Sequence, residues 1–514
     1  MFGYSTLVSL LVCSFALAHY YVKYAFSYWQ RRGVPQLKPS FPFGNYAEST
    51  RLKIHLTEQL HKIYRGTSEP FIGTYSFWKP ILVVRDPELV QNIMVRDFQH
   101  FVDHGTYLDE ENDPTAAFQF ALEGERWKHL RASLTPAFTN GRLKAMFTTV
   151  LDCKEPLLRQ LEKTIHTNQV VEIHPLIEKF TTNLIASVVF GVEIDSFNDP
   201  NNTFCKMANS FHSTSWKNGF RMFCFNLWPN LLKWSGLRLL DREARESLLD
   251  FVKQSIDLRE NGNVVRKDFF QLLIQLRNTG AIQLDDEWQT VIRNESTKTL
   301  TIEQVAAQTF GFYLAGFGTT ASTISFCLFE IAKNPDIQQK VYEEIDNVFA
   351  GKDEQFTFDS LKKLEYLDAC VDETLRKHII IPTFSRKCTK EYTIPDTNIT
   401  IVKGTHILIP AFSIQRDDKY YPNPEQFDPS RFFTENKWNK TKLDMPYLSF
   451  GDGPRGCTGS RMAKLVIKVG IVSILQKYRI ELHTQYEGNE IKYEPVVNIL
   501  VPLEGFKLKF TARV

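Results

Sequence analysis

The run Phe450-Gly451-Asp452-Gly453-Pro454-Arg455-Gly456-Cys457-Thr458-Gly459 concentrates more chemistry than any other stretch of this chain. Three glycines ahead of the cysteine permit positive φ and a close approach of backbone to a flat object. An apolar run from Met462 to Leu475 follows, so the spacing predicts Cys457 close to a helix N-terminus. There the helix dipole and free N–H groups favour a thiolate over a thiol, and Arg455 adds a positive charge two residues away. A thiolate held this way is a nucleophile or a metal ligand. No histidine stands nearby to partner it, which weighs against a cysteine hydrolase. The other cysteines, Cys13, Cys153, Cys205, Cys224, Cys327, Cys370 and Cys388, are scattered and form no C-x-x-C pair. They read as reduced, buried thiols of a cytosolic protein, not as a zinc or disulfide framework.

Two further pairs stand one helical turn apart: Trp127 with Arg131, and Glu373 with Arg376. The charge-free run Val305 to Phe329 contains Ala315-Gly316-Phe317-Gly318-Thr319-Thr320. It is long enough to cross a bilayer, but Gln308, Thr309, Thr319, Thr320, Ser322, Thr323 and Ser325 would be costly in lipid. It therefore reads as a helix buried through a large soluble domain. Positioning these residues falls to a mostly helical body, because apolar residues recur at three and four spacing through most of residues 50–375. Strands are expected only in short pieces, Phe71–Tyr75, Ile81–Val84, Tyr392–Ile394 and Thr405–Ile409. The expected fold class is mainly α with small β-sheets.

With these residues in view, the chain resembles the haem-thiolate cytochromes of the cytochrome P-450 family. The family's loop pattern F-x-x-G-x-R-x-C-x-G is met by Phe450, Gly453, Arg455, Cys457 and Gly459. The resemblance implies haem b with the Cys457 thiolate as axial metal ligand, a ligation that favours O–O cleavage. It makes Trp127, Arg131 and Arg386 partners of the haem propionates, with Phe450 and Arg455 in the cofactor loop. Arginine suits that task because its fork pairs carboxylates bidentately. Glu373, Arg376 and Arg431 resemble a buried structural cluster behind the cysteine loop. Phe101-Val102-Asp103-His104-Gly105 and Leu134-Thr135-Pro136-Ala137-Phe138 resemble the insect microsomal branch that oxidises plant toxins and insecticides. The resemblance runs from about residue 31 to the C-terminus.

On the oxygen side, Ala315 to Thr320 resembles the family's A-G-x-[DE]-T-[ST]. Small Ala315 and Gly316 would leave room for dioxygen, while Thr319 would hydrogen-bond dioxygen or a proton-carrying water, with Thr320 beside it. The bland alternative is a helix whose hydroxyls merely bond backbone carbonyls. The acidic residue expected before the threonine is Gly318 here, which removes a carboxylate relay worth about 10²–10⁴ in rate. A second departure is His378-Ile379-Ile380, where the family has an aromatic residue and two prolines.

At the front, residues Phe2 to Val22 carry no formal charge unless His19 is protonated, and at about 1.5 Å each they make roughly 31 Å of helix. No Lys or Arg precedes the run and it continues past Ala16-Leu17-Ala18, so it reads as an uncleaved transmembrane anchor instead of a signal peptide. Lys23, Arg31, Arg32 and Lys38 follow it, which leaves the body in the cytoplasm; the resemblance implies that the membrane is that of the endoplasmic reticulum. The expected organisation is an anchor at 1–30, a proline-rich hinge at 31–48 and a haem-thiolate catalytic domain at 49–514. Sequons at Asn201, Asn294, Asn398 and Asn439 are then accidental. With 61 basic and 59 acidic residues the net charge is +2, and no clustered basic surface for nucleic acid is evident.

By the same resemblance, Phe118, Phe120, Phe310, Ala315, Thr383–Ser385 and Val497–Leu500 would wall an apolar pocket for a lipophilic small molecule. Phe220 to Trp228 could dip into the membrane interface or pack in the core. Arg126, Lys128, Arg142, Lys144, Lys464 and Lys468 would give the cysteine face a basic rim. No G-x-G-x-x-G unit is present, so electrons from NADPH must come through a flavoprotein reductase, with cytochrome b5 as a second donor. The expected function is a monooxygenase; the alternatives are a haem-thiolate isomerase or dehydratase, and a haem protein that sequesters lipophiles without turnover.

Overall fold

In the computed structural model, the described residues are 4–167, 170–213, 215–262, 264–282, 288, 299–350, 356–433, 443–483 and 491–513. Asn294, Asn439 and the first two residues of the expected anchor lie outside them. The helices that matter below are α1 (Tyr4–Ala25), α2 (Gly124–Leu134), α3 (Ile173–Ile185), α4 (Trp216–Leu227), α5 (Ile302–Lys333), α6 (Glu365–Lys377) and α7 (Ser460–Leu475). The strands are β1 (Phe71–Ser76), β2 (Lys79–Val84), β3 (Val170–Glu172), β4 (Phe384–Lys387), β5 (Tyr392–Thr393), β6 (Thr400–Ile401), β7 (His406–Ile409), β8 (Tyr478–Leu482) and β9 (Lys507–Ala512). The expectation of a mainly helical chain with small sheets holds. Strands β3, β4, β6, β8 and β9 were not expected, because runs of two to six residues give period-2 alternation little length to show itself.

The chain divides into two compact units. The first comprises Met1–Gly105, Thr383–Ile414 and Asp452–Arg455. Its four-stranded sheet has the order β1-β2-β7-β4, with β2 and β7 parallel and the other pairs antiparallel, and β5 pairs with β6. The segment after α1 lies against β1: Leu37 N–H donates to Gly73 O and Trp29 Nε1 donates to Thr74 O, both at 3.0 Å. In α1, Leu10, Val12, Leu17, Tyr20, Tyr21 and Tyr24 are exposed, an apolar surface with no protein cover.

The second unit comprises Thr106–Pro382, Gln415–Gly451 and Gly456–Val514, with the antiparallel sheet β3-β9-β8. Its centre is α5, whose apolar and hydroxyl-bearing run is packed by α3, α6 and α7. A capping box closes its N-terminus, Thr301 Oγ1 accepting from Gln304 N–H and Gln304 Oε1 from Thr301 N–H. Asn334-Pro335 ends it, since the residue before proline is disfavoured in the α region. The helix is 72% buried over its most apolar stretch, as expected for a core helix.

Behind the cysteine segment, Glu373 and Arg376 form a fully buried bidentate pair, with Nε–Oε2 at 2.7 Å and Nη2–Oε1 at 2.8 Å. Arg431 joins at 3.5 Å, which completes the expected cluster. Arg376 also donates to Gln415 O at 3.0 Å and to Pro424 O at 2.8 Å. At the end of α6, the departure from the family pattern builds a second buried cluster. Glu330 Oε1 lies 2.6 Å from His378 Nε2 and 2.9 Å from Lys377 Nζ, and the Phe326 ring stacks on His378 at 4.4 Å.

Two outcomes follow from these clusters. Replacing Arg376 by Ala leaves the Glu373 carboxylate buried without its partner, which costs roughly 3 to 5 kcal/mol; the yield of folded protein should collapse. Burial holds His378 down to about 4, although Glu330 pulls it the other way. Since an unfolded histidine takes its proton near pH 6.5, the neutral buried ring stabilises the fold above that value and loses this contribution as pH falls toward 4. In thermal melts, His378→Phe should lower the acid sensitivity of stability across that window by up to one proton relative to wild type.

Candidate functional site

The cysteine loop is shaped by two glycines, not three: Gly451 has φ 69° and Gly453 φ 65°, whereas Gly456 is not in the left-handed region. A Cβ on Gly453 would also lie 2.0 Å from Met94 O. The chain here crosses from one compact unit to the other, with Asp452–Arg455 in the first and Phe450, Gly456 and Cys457 in the second. Each share is described in turn.

In the second unit, Cys457 N–H donates to the carbonyl of half-buried Phe450 at 2.8 Å, and α7 begins three residues later with Gly459 as its N-cap. Arg131, one turn along α2 from buried Trp127, donates Nη2 to Gly456 O at 2.8 Å and Nη1 to Thr458 Oγ1. The guanidinium thus grips the residues on both sides of Cys457. No carboxylate pairs with Arg131 among the described residues. The Cys457 side chain is solvent-accessible, yet desolvation by surrounding protein pushes its thiol up, against the pull of the Gly459 N–H and the Arg131 charge. The N–H of Gly459 at the start of α7 and the Arg131 charge are the groups that favour the thiolate. The helping charge is Arg131 instead of Arg455.

Helix α5 presents an opening in an otherwise covered surface. Ala315 is exposed and Thr319, one turn on, is partly so, while Gly318 and Thr320 are buried. Thr319 Oγ1 donates to Ala315 O, so its proton is held by the helix and its oxygen is left to accept. Thr320 does not share the accessible face. Gly316 serves packing as well, because a Cβ there would lie 2.5 Å from Ile185 Cδ1 of α3. Phe118 meets Phe310 edge-on at 6.2 Å and stacks with the exposed Phe120 at 6.4 Å. Leu500 N–H donates to Ile380 O at 3.0 Å, which fixes the segment Val497–Leu500.

In the first unit, Arg386 on β4 is fully buried. Its Nη1 donates to Ser385 O at 2.8 Å and lies 3.0 Å from His104 Nδ1, but its Nε has no partner and no carboxylate pairs with it among the described residues. Burial lowers the Arg386 pKa to about 10, and burial with the Arg386 and Arg455 charges holds His104 well below the histidine range. Arg455 donates Nε to Val102 O at 2.9 Å and approaches Asp103 at 3.8 Å. Thr383–Ser385 lies in this unit, at the start of β4.

Several functional positions were not foreseen. Val102, Asp103 and His104 were singled out only as a branch marker, yet they position Arg455 and Arg386. Gln415 accepts Leu448 N–H and donates to Arg376 O at 2.9 Å, so it ties the buried cluster to the approach to Cys457. The only sequence signal was a glutamine closing the apolar run His406 to Ile414. The basic rim is corrected at Arg142 and Lys468 only, while Arg126, Lys128 and Lys144 stay exposed. Arg142 is buried over the Trp288 ring at 4.3 Å and Lys468 is buried on Leu361 O; Arg126, Lys128, Lys144 and Lys464 all pair with acids. Between the two options for Phe220 to Trp228, core packing holds: Arg221, Met222, Cys224, Phe225 and Leu227 of α4 are buried.

Residues in each unit fit the group that the loop implies: in the second, half-buried Arg131 has no carboxylate partner among the described residues and stands beside the accessible Cys457 sulfur, and in the first, buried Arg386 has none among them either. Comparison with known proteins agrees. The cytochrome P450 family model matches residues 35–510. The Drosophila melanogaster protein "Probable cytochrome P450 6d5" is 36% identical over 98% of this chain and 99% of its own length. Cytochrome P450 6a2 of Drosophila melanogaster is 34% identical over 98% and 99%. Cytochrome P450 6d3 of Musca domestica is 36% identical over 99% of each. A haem-thiolate loop met at all its fixed positions, on a helical body matched nearly end to end by insect relatives, makes this chain a member of the cytochrome P450 family, a haem b monooxygenase of insect type.

Proposed function

We propose that Cys457 would hold haem b through its sulfur, and that the enzyme oxidises small lipophilic substrates, plant toxins and insecticides among them, with electrons delivered from NADPH by a flavoprotein reductase. The observation that carries the ligand assignment is the grip of Arg131 on Gly456 and Thr458 around an accessible Cys457 sulfur. Bound haem supplies the iron at which one atom of dioxygen enters the substrate while the other leaves as water.

The chain's own residues do the rest. Arg131 holds the loop and, with Trp127 beside it, offers a charge for a propionate. Arg386, held by His104, offers a second, and Arg455 keeps its segment in place through Val102 and Asp103. Ala315 keeps the accessible face of α5 clear. Thr319 accepts a hydrogen bond from a water on that face and passes its own proton on when its hydroxyl swings away from Ala315 O. Phe118, Phe120 and Phe310 make the wall that holds the substrate and excludes water. The exposed apolar helix α1 anchors the chain to the endoplasmic reticulum membrane, where lipophilic substrates concentrate.

Cys457→Ala should abolish the reduced carbon-monoxide band of a thiolate-ligated haem and all NADPH-dependent product. If purified holoprotein keeps its spectrum, the ligand assignment is wrong. Thr319→Ala should cut product per NADPH by about tenfold or more and raise peroxide release, since a positioned proton donor contributes about 10²–10⁴. Product from wild type with reductase argues against sequestration, and turnover without NADPH would favour an isomerase. His104→Ala should lower haem content after gel filtration more than it lowers folded yield, because Arg386 loses its partner while the sheet stays intact.

A further inference from the structure

Gln308 is buried on α5 and spends both ends of its amide on one loop. Its Nε2 donates to Ala117 O at 3.0 Å, and its Oε1 accepts from Gln119 N–H at 2.8 Å. Phe118 lies between those two backbone groups. Its position depends equally on a missing side chain: a Cβ on Gly311 would come within 2.6 Å of Phe118 Cβ. The loop is held independently upstream, where Asp113 accepts Leu239 N–H at 2.7 Å and Thr115 Oγ1 at 2.9 Å. Gln308 therefore does not attach the loop. It sets the register of three residues within it. On the far side, Gln119 Oε1 accepts from Thr458 Oγ1 at 3.3 Å, and Thr458 Oγ1 accepts from Arg131.

We infer that Gln308 is a specificity-determining positioning residue: it clamps the backbone on both sides of Phe118, fixes the Phe118–Phe120 wall against which a lipophilic substrate is held, and ties that wall through Gln119 and Thr458 to the residue after Cys457. An amide is required because the clamp needs one donor and one acceptor about a peptide apart. Losing it strands a carbonyl and an N–H that only a shifted loop or water can satisfy. The register of the wall then changes while α5, held by its own hydrogen bonds and neighbours, stays in place. This rests on the reading above that these phenyl rings face the substrate.

The test uses full-length holoprotein in membranes with NADPH and a flavoprotein reductase, and a panel of planar aromatic and branched aliphatic lipophiles. Gln308→Leu should keep the reduced carbon-monoxide spectrum, raise KM for the best planar substrate at least fivefold, change kcat less than twofold and alter the ratio of oxidised positions. Gln308→Glu, which still accepts from Gln119 but cannot donate to Ala117 while ionised, should fall between. Gly311→Ala keeps both hydrogen bonds but displaces Phe118, and should shift the product ratio too. Wild-type KM and product ratios in Gln308→Leu, or a uniform loss of kcat with KM untouched, overturn the inference. If Gln308→Leu does not assemble, Gln308→Glu and Gly311→Ala decide by the same criteria. Failure of the wild type to give a thiolate spectrum or product would instead overturn the proposed function.

Discussion

A buried carboxylate must be matched in charge and in hydrogen bonds, and the Glu373–Arg376 pair meets that demand by recruiting backbone from distant segments. Removing two charges from water costs several kcal/mol per ion, so the pair by itself is a poor source of stability. It is offset because Arg376 spends its remaining donors on Gln415 and Pro424 carbonyls while Glu373 accepts Asp428 N–H at 2.9 Å. Gln415 in turn holds Leu448 N–H, and Ser449 Oγ donates to Leu375 O at 2.9 Å. The approach to Cys457 is thereby bound to α6 before the cysteine is reached. The ion pair matters less as a bond than as the reason for a single arrangement of what surrounds it.

Each compact unit also holds an arginine whose charge is left unbalanced among the described residues. Arg131 and Arg386 are desolvated, and the protein offers them carbonyls, a hydroxyl and an imidazole but no carboxylate among the described residues. Cationic groups in this state favour an anionic ligand strongly, since pairing recovers desolvation already incurred on folding. At Cys457, desolvation by the surrounding protein raises the thiol, while the Gly459 N–H and the Arg131 charge pull the other way. His104 fits because burial keeps it neutral, and only a neutral ring nitrogen can accept from a guanidinium. An arginine or lysine could not play that part beside Arg386.

The cysteine segment, the paired residues on α2 and α6, and the core helix were legible because their chemistry is local: fixed spacings on one loop or one helical turn. What stayed hidden is what depends on packing between segments far apart in sequence. Strand β4 is four residues long and exists because β7 lies beside it. Arg142 and Lys468 carry charges that read as a surface rim, yet aromatic and carbonyl partners from elsewhere hold them inside. Gln415 and Gln308 look like ordinary polar residues next to apolar runs. Their roles become visible only when the carbonyls and N–H groups they serve are known.

Helix α5 shows why the departure at Gly318 does not by itself disable the reactive face. Thr319 and Ala315 are one turn apart and reach accessible space, whereas Gly318 and Thr320 turn toward the packed interior. The same helix must seat against α3, and Gly316 permits this by leaving no Cβ where Ile185 Cδ1 lies. An acidic side chain at position 318 would begin on the covered side and have to be hydrogen-bonded there at the cost that attends any buried carboxylate. Without it, the interior is relieved of that demand, and under the proposed function proton delivery would fall to the hydroxyl of Thr319 and to water reaching the Ala315 face. The exchange trades a fixed relay for a solvent one, so the efficiency of oxygen use in this enzyme should depend more on how well the Phe118 wall excludes stray water than on any carboxylate in the helix.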